Sequence, residues 1–380
     1  MQTTNLRRCL PICLLPLLVT GCAQDAGSGT TPGSEIDVSV AVADLELGAL
    51  DGTGPDVFSR ITGLATDSAG RIFVLDYSSS EIRVFGPEGG HLFTFGGKGS
   101  GPGRLDSPCC LAWGPDDLLW VRDGGNSRYS AFAITEGDAE FVETRQMAHT
   151  DYNYLVPLTF TSAGELIDIG KQTSPEGESR ITLFTLSGNS EVAGTVALDN
   201  PPPDELGMHV IRSPGLVRYF YRPFPPRRLL TFGPDGERAT GIGSSYAIEW
   251  LRGSDTIHIE SNADSPALTS DEKADGEEQL KEDAERAGIA VGAFPYGVPD
   301  RKPPLWAITL DDADRLWVLL SRAEGAPQIA EIWSTDGEMV AKVEVPADIR
   351  LTPPAVLGEN IGLAVRRDSL GVESVVRLRY

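Results

Sequence analysis

Two aspartates at matching places in a repeated pattern, Asp76 and Asp123, are the first residues with chemical potential. Asp76 ends the run Ile72-Phe73-Val74-Leu75-Asp76, and Asp123 ends Leu118-Leu119-Trp120-Val121-Arg122-Asp123. A carboxylate at a strand end can ligate a hard cation such as calcium. It can equally cap a turn by accepting backbone N–H groups, the simpler reading for a position that recurs with a repeat. The histidines His91, His149, His209 and His258 sit in no recognisable motif, so they name no metal site. Neither a Gly-x-Ser-x-Gly elbow nor a His-Glu-x-x-His helix occurs, and no catalytic residue is identified. The stretch Tyr219-Phe220-Tyr221-Arg222-Pro223-Phe224-Pro225-Pro226-Arg227-Arg228 concentrates aromatics and arginines in an otherwise acidic chain. Tyr and Arg are favoured at interface centres, which makes Tyr219, Tyr221, Arg222, Arg227 and Arg228 the candidate ligand-binding residues. The competing reading has Phe220 and Phe224 anchoring a long loop while Arg227 and Arg228 pair with local acids.

Cysteine adds chemistry at the other end of the chain. Arg7-Arg8, a short apolar stretch from Cys9 to Val19 and small residues at the cut form a secretory leader over 1–21. The stretch holds Pro11 and Pro16 and is too short to span a bilayer. Val19-Thr20-Gly21-Cys22 resembles the bacterial lipobox, which implies that Cys22 is diacylated and becomes the mature N-terminus. Ala23, rather than Asp, follows it, and the same resemblance implies outer-membrane placement in a cell with two membranes. Cys9 and Cys13 leave with the leader, so only Cys109 and Cys110 remain as thiols. One adjacent pair is neither a disulfide framework nor a zinc site. It reads as two small side chains on a strand entering the core, with a vicinal disulfide the alternative in an oxidising compartment.

Charge narrows the partners. The 380-residue chain carries a formal charge of −23, and the leader removes two arginines and no acids, leaving −25. Such a surface repels phosphate backbones, which excludes nucleic acid as a partner class. It also disfavours lying on anionic lipid, so membrane contact would be through the acyl chains at Cys22 alone. Residues 23–35 are rich in Gly, Ser and Thr and form a flexible tether.

The elements that must position these groups are strands. The pattern of an acidic or glycine turn followed by a β-branched run recurs with turn positions at 70, 117, 164, 236, 314 and 360. The spacings are 47, 47, 72, 78 and 46 residues, a base period near 46–47 with two insertions. A four-stranded sheet per 40–50 residues is the signature of a β-propeller blade. Six turns give six blades, and Ile36–Val42 is placed to complete the last sheet and close the ring. Within the second insertion, 269–288 reads as the one helix: Thr269 and Glu272 form a capping box and Gly288 is the stop. Its eight acids and three bases leave it at −5, with a thin apolar stripe of Ala274, Leu280, Ala284 and Ala287. The loop Gly96–Gly103 has five glycines and one lysine but leads into a strand rather than a helix, so it reads as a connector and not a phosphate cradle.

Asp123-Gly124-Gly125-Asn126-Ser127-Arg128 resembles the Asp-x-Gly-Asn-x-Arg signature of NHL-repeat propellers, with 76–85 a degenerate copy that has Glu81 in place of Arg. The glycine-rich run 93–103 resembles the blade connector of bacterial six-bladed NHL-like lipoproteins. The expected protein is therefore all-β: leader 1–21, tether 22–35, and a six-bladed NHL-like propeller over 36–380 with a helical insertion at 269–288. The expected role is a non-catalytic binding or scaffold module for an envelope protein, peptide or glycan, needing no cofactor. The alternative is a lactonase-like propeller hydrolase or lyase, which needs a divalent metal on the axis.

Overall fold

A computed structural model describes residues 36–149, 156–173, 179–198, 201–213 and 216–380. The leader, Cys22 and the tether lie outside the described residues.

The chain folds as a six-bladed β-propeller, with one α-helix among the described residues. Blade 1 is Ile61–Thr66, Ile72–Asp76, Glu81–Phe85 and His91–Gly96; blade 2 is Pro108–Trp113, Leu118–Asp123, Arg128–Ile134 and Ala139–Gln146. Blade 3 is Thr159–Phe160, Leu166–Thr173, Ser179–Leu186 and Val192–Ala197; blade 4 is Arg228–Phe232, Arg238–Ile242, Ala247–Arg252 and Asp255–Glu260. Blade 5 is Leu305–Leu310, Leu316–Leu320, Gln328–Trp333 and Met339–Val345. Blade 6 takes Val356–Leu357, Ile361–Arg367 and Glu373–Arg379 from the C-terminus. Within each blade these strands pair antiparallel in chain order, and inner strands of neighbouring blades pack on one another.

The repeated turn has a backbone cause. It joins the first and second strands, and residues 70, 117, 164, 236 and 314 have φ between 56° and 80°. Glycine adopts this left-handed region without penalty, and Asp is among the few other residues that do so readily. That is why the repeat shows Gly or Asp there.

The early segment divides its work. Val42–Leu47 pairs antiparallel with Glu373–Arg379 and completes blade 6. Val38–Val40 instead lies parallel to Lys342–Glu344 on the outer edge of blade 5. Ile36–Val42 is thus not one closing strand. Between the two pieces Ala41 is buried and its N–H donates to Glu344 O at 2.8 Å, which turns the chain from one blade to the next. At the seam Asp44 is ion-paired to Arg377 and Arg379.

The core is not one mass. Buried apolar residues form a separate layer at each of the six blade junctions. Phe73, Leu75 and Ile82 of blade 1 meet Leu111, Leu119 and Phe132 of blade 2. Val365 and Val375 of blade 6 meet Ile61, Ile72 and Val74 of blade 1 across the junction beside the seam. A four-stranded sheet buries one face against each neighbour, so the ring is the arrangement that leaves neither face wet. Trp120, Trp250 and Trp317 are fully buried in these layers, and truncating such a residue costs about 3–5 kcal/mol.

The two insertions fold together. Met208–Ser213 and Leu216–Tyr221 form a hairpin between blades 3 and 4. Helix α1, Ser270–Ala287, lies between blades 4 and 5, with the capping box at Thr269 and Glu272 and left-handed Gly288 as its stop. Its buried residues are Gly276, Leu280, Asp283 and Ala284, while Ala274 faces solvent. Leu280 and Ala284 pack with Phe220 of the hairpin and with Phe294. The helix is therefore anchored on the first insertion through a narrower face than its alanines indicate.

Candidate functional site

In an antiparallel blade the first-to-second and third-to-fourth turns lie on one face of the disc. The second-to-third turns and the connectors between blades lie on the other. Both insertions are inter-blade connectors, so both rise from this connector face. Insertions gathered on one face of a repeat protein commonly mark its binding face.

A largely apolar cleft lies among blades 4, 5 and 6. Trp306, the second residue of the inner strand of blade 5, is 38% exposed at this cleft. The Arg227 guanidinium sits 3.9 Å from the centre of its ring, a cation–π stack. Burial holds the Arg227 pKa below the usual arginine value. Leu319, Val345, Ile349 and Leu351 line this cleft and also a second one that reaches Phe224, Lys302 and Glu324. The wall there is fastened by α1. Glu272 pairs with Lys302, and Thr269 Oγ1 donates to Glu324 Oε2 at 2.7 Å.

The predicted aromatic–arginine cluster is split by this geometry. Arg227 and Arg228 line the cleft with Trp306. Tyr219 and Tyr221 are 58% and 46% exposed on the hairpin, and Phe220 between them is 5% exposed, as strand alternation requires. Neither tyrosine lines the cleft. Arg222 packs its stem against Gly207, and its Nε has no hydrogen-bond partner. The loop-anchoring role fits Phe220. Phe224 lines the second cleft instead, with Lys302 Nζ 5.9 Å from its ring centre. Sequence reasoning missed Trp306, which stands outside the aromatic cluster and next to Leu305 in what reads as an ordinary core strand.

Asp76 and Asp123 are buried beneath the same face and have their oxygens engaged. Asp123 accepts from Asp106 N at 2.7 Å, Asn126 Nδ2 at 2.8 Å and Arg128 Nε at 2.9 Å. Asp76 accepts from Ser59 N at 3.0 Å and Ser78 N at 2.9 Å, with Arg83 Nη2 at 3.5 Å. Each carboxylate staples the connector entering its blade to the end of the second strand. In blade 1, Arg83 supplies the cation that position 81 lacks. Among the described residues no group of three or more His, Cys, Asp or Glu is arranged to hold a metal ion. The loop 96–103 connects blades 1 and 2, and its carbonyls at 96, 99 and 101 accept from Arg104, Asn126 and Arg128.

One buried ionic cluster between blades 2 and 3 was not anticipated. Arg122 and Asp168 are both inaccessible to solvent and paired, Nε to Oδ2 at 2.8 Å with a second Nη2–Oδ1 contact. Tyr129 Oη donates to Asp168 Oδ2 at 2.6 Å. His149 Nε2 lies 3.3 Å from the same oxygen, off hydrogen-bond alignment, and its ring stacks on Phe184. Gly170 makes room for that ring: a Cβ there would sit 2.2 Å from His149 Cγ. Burial raises the Asp168 pKa, but Arg122, His149 and Tyr129 outweigh it and hold the carboxyl below its ordinary value. Burial and the facing Asp168 push the Tyr129 hydroxyl well up. The remaining Arg122 donor, Nη1, points at Cys110 Sγ, 3.0 Å, and Cys109 Sγ, 3.3 Å.

No protein-family model matches the chain, and no curated protein does. Solved propellers are similar in fold. A protein from Bacteroides fragilis described as exported aligns at 10% identity over 91% of this chain and 97% of its own, with a TM-score of 0.50. A member of the DUF4221 family from Bacteroides vulgatus aligns at 10% identity over 89% and 97%, with a TM-score of 0.44. A virginiamycin B lyase from Staphylococcus aureus aligns at 11% identity over 84% and 94%, with a TM-score of 0.38. At these identities the likeness is one of fold, and propellers carry many unrelated activities.

Proposed function

We propose that this chain is an exported, lipid-anchored propeller of the NHL type that binds a protein, peptide or glycan through its connector face. One observation carries the reading: Trp306, stacked on Arg227, stands exposed in an apolar cleft on the face where both insertions rise. An exposed aromatic held rigid beside a desolvated cation presents a flat apolar surface and a strong hydrogen-bond donor together. That combination suits a sugar ring, proline or aromatic side chain carrying an acceptor group. Pocket-seated Trp and Arg residues are the types that dominate binding energy. The anchor rests on the leader and on Cys22, which would hang the propeller from a membrane by residues 22–35.

The test is a binding screen of the mature domain, with Cys22→Ser to remove lipid, against peptide and glycan arrays. Any ligand found should bind Trp306→Ala at least about tenfold more weakly, since hot-spot truncations cost 2 kcal/mol or more. It should bind Tyr219→Ala as before if the cleft, rather than the hairpin, is the site. A ligand indifferent to Trp306→Ala and Arg227→Ala sinks this reading. A reversible rise of melting temperature with calcium or zinc after chelation would favour the metal-dependent hydrolase instead.

A further inference from the structure

We propose that Cys109 and Cys110 form a redox-active vicinal pair, a disulfide in the oxidised protein and a dithiol held by Arg122 in the reduced one. In a regular strand successive side chains point to opposite faces, so neighbouring cysteines face apart. Here they do not. The pairing between the first two strands of blade 2 shifts register between Cys109 and Leu111, leaving Cys110 as the extra residue of a bulge. Cys110 has φ 60°, a left-handed conformation that costs an L-residue energy and needs something to hold it. The bend brings both sulfurs to the same side, 2.6 Å apart, against one nitrogen of Arg122. Both cysteines are buried. Bulge, positive φ and shared cation together converge two thiols that sequence spacing alone would separate.

The exchange balances with a disulfide as oxidant. The Cys109 thiolate attacks one sulfur of R–S–S–R and expels the first RS⁻. Cys110, as thiolate, then attacks Cys109 Sγ in the mixed disulfide and expels the second RS⁻. The two cysteine protons end on the two RSH products, and two electrons pass to the oxidant. Burial disfavours the thiolate at both sulfurs, and the charge of Arg122 favours it at both. The same steps hold with the two sulfurs exchanged, since both face the same Arg122 nitrogen. Asp168 neutralises Arg122 in both states, so closing the ring leaves no unpaired charge. Leu158, just ahead of blade 3, and Phe160 and Leu166 within it join the layer over the pair, so an oxidant reaches it before these residues dock or during local opening.

The test uses the full chain in detergent and does not depend on where the protein resides. It is treated with excess oxidised glutathione, either folded or during refolding, then denatured with a maleimide and cut with trypsin. Arg104 and Arg122 bound a peptide, 105–122, that contains both cysteines. In the refolded sample this peptide should be lighter by two hydrogen atoms and unlabelled. After reduction in denaturant it should take two labels. Two labels on 105–122 after oxidative refolding would overturn the proposal, and so would a stable glutathione adduct on either cysteine.

Discussion

Arg122 and Asp168 show how much a single buried charge can matter. Each is inaccessible to solvent, and each has the other as its main compensation. Removing one partner leaves an uncompensated charge, which typically costs 3–5 kcal/mol. We expect Arg122→Met or Asp168→Asn to lower the urea midpoint accordingly. The double replacement Arg122→Met with Asp168→Asn should cost clearly less than the sum of the two single losses. Equal additivity would show that the pair is not coupled. The pH dependence has a defined sign. The folded pKa of Asp168 lies below its unfolded value, near 3.9 for a free Asp. Its contribution is therefore complete above about pH 5 and is lost as pH falls through the folded pKa. Urea midpoints measured from pH 6 down to 3 should fall less steeply for Asp168→Asn than for the parent chain.

At the level of elements, the insertions form a unit of their own against a ring held by inter-blade layers. Leu280 is buried between α1 and the hairpin with Phe220 and Phe294. Leu280→Asp should raise amide exchange across 208–221 and 270–287 while leaving the blade strands protected. Loss of protection in blades 4 and 5 would mean that α1 is part of the ring's stability. These elements also show what a sequence makes legible. Five of the six turns were readable because left-handed backbone admits few residue types, so φ leaves a mark in the letters at 70, 117, 164, 236 and 314; Asn360 at the sixth has no positive φ. Helix α1 was readable for a similar reason, since Thr269, Glu272 and Gly288 each answer a local need. Trp306, its stacking on Arg227 and the Arg122–Asp168 pair were not, because the partners lie a blade away and local spacing carries no trace of them. The Tyr219–Arg228 run is divided in the fold. Composition gathered in sequence what strand alternation and a proline-rich connector then separated in space.

For the molecule as a whole, everything depends on one seam. Val42–Leu47 is the outer strand of blade 6, and Asp44 is tied there to Arg377 and Arg379. Deleting residues 36–47 would leave the edge of Glu373–Arg379 unpaired, and open edges invite pairing with other chains. We expect a lower melting temperature and concentration-dependent association by light scattering. A monomer that melts like the parent would show that the ring holds without its seam. The position of that seam also sets the load path through the protein. Tension on the chain ahead of Ile36 enters first at Val38–Val40, a three-residue clip on blade 5, and only then reaches the closing strand. The clip can peel from the outer edge of a blade that keeps its own four strands. Under pulling we expect it to yield first, as a fuse would, releasing a few residues of slack before the pairing of Val42–Leu47 with Glu373–Arg379 is loaded.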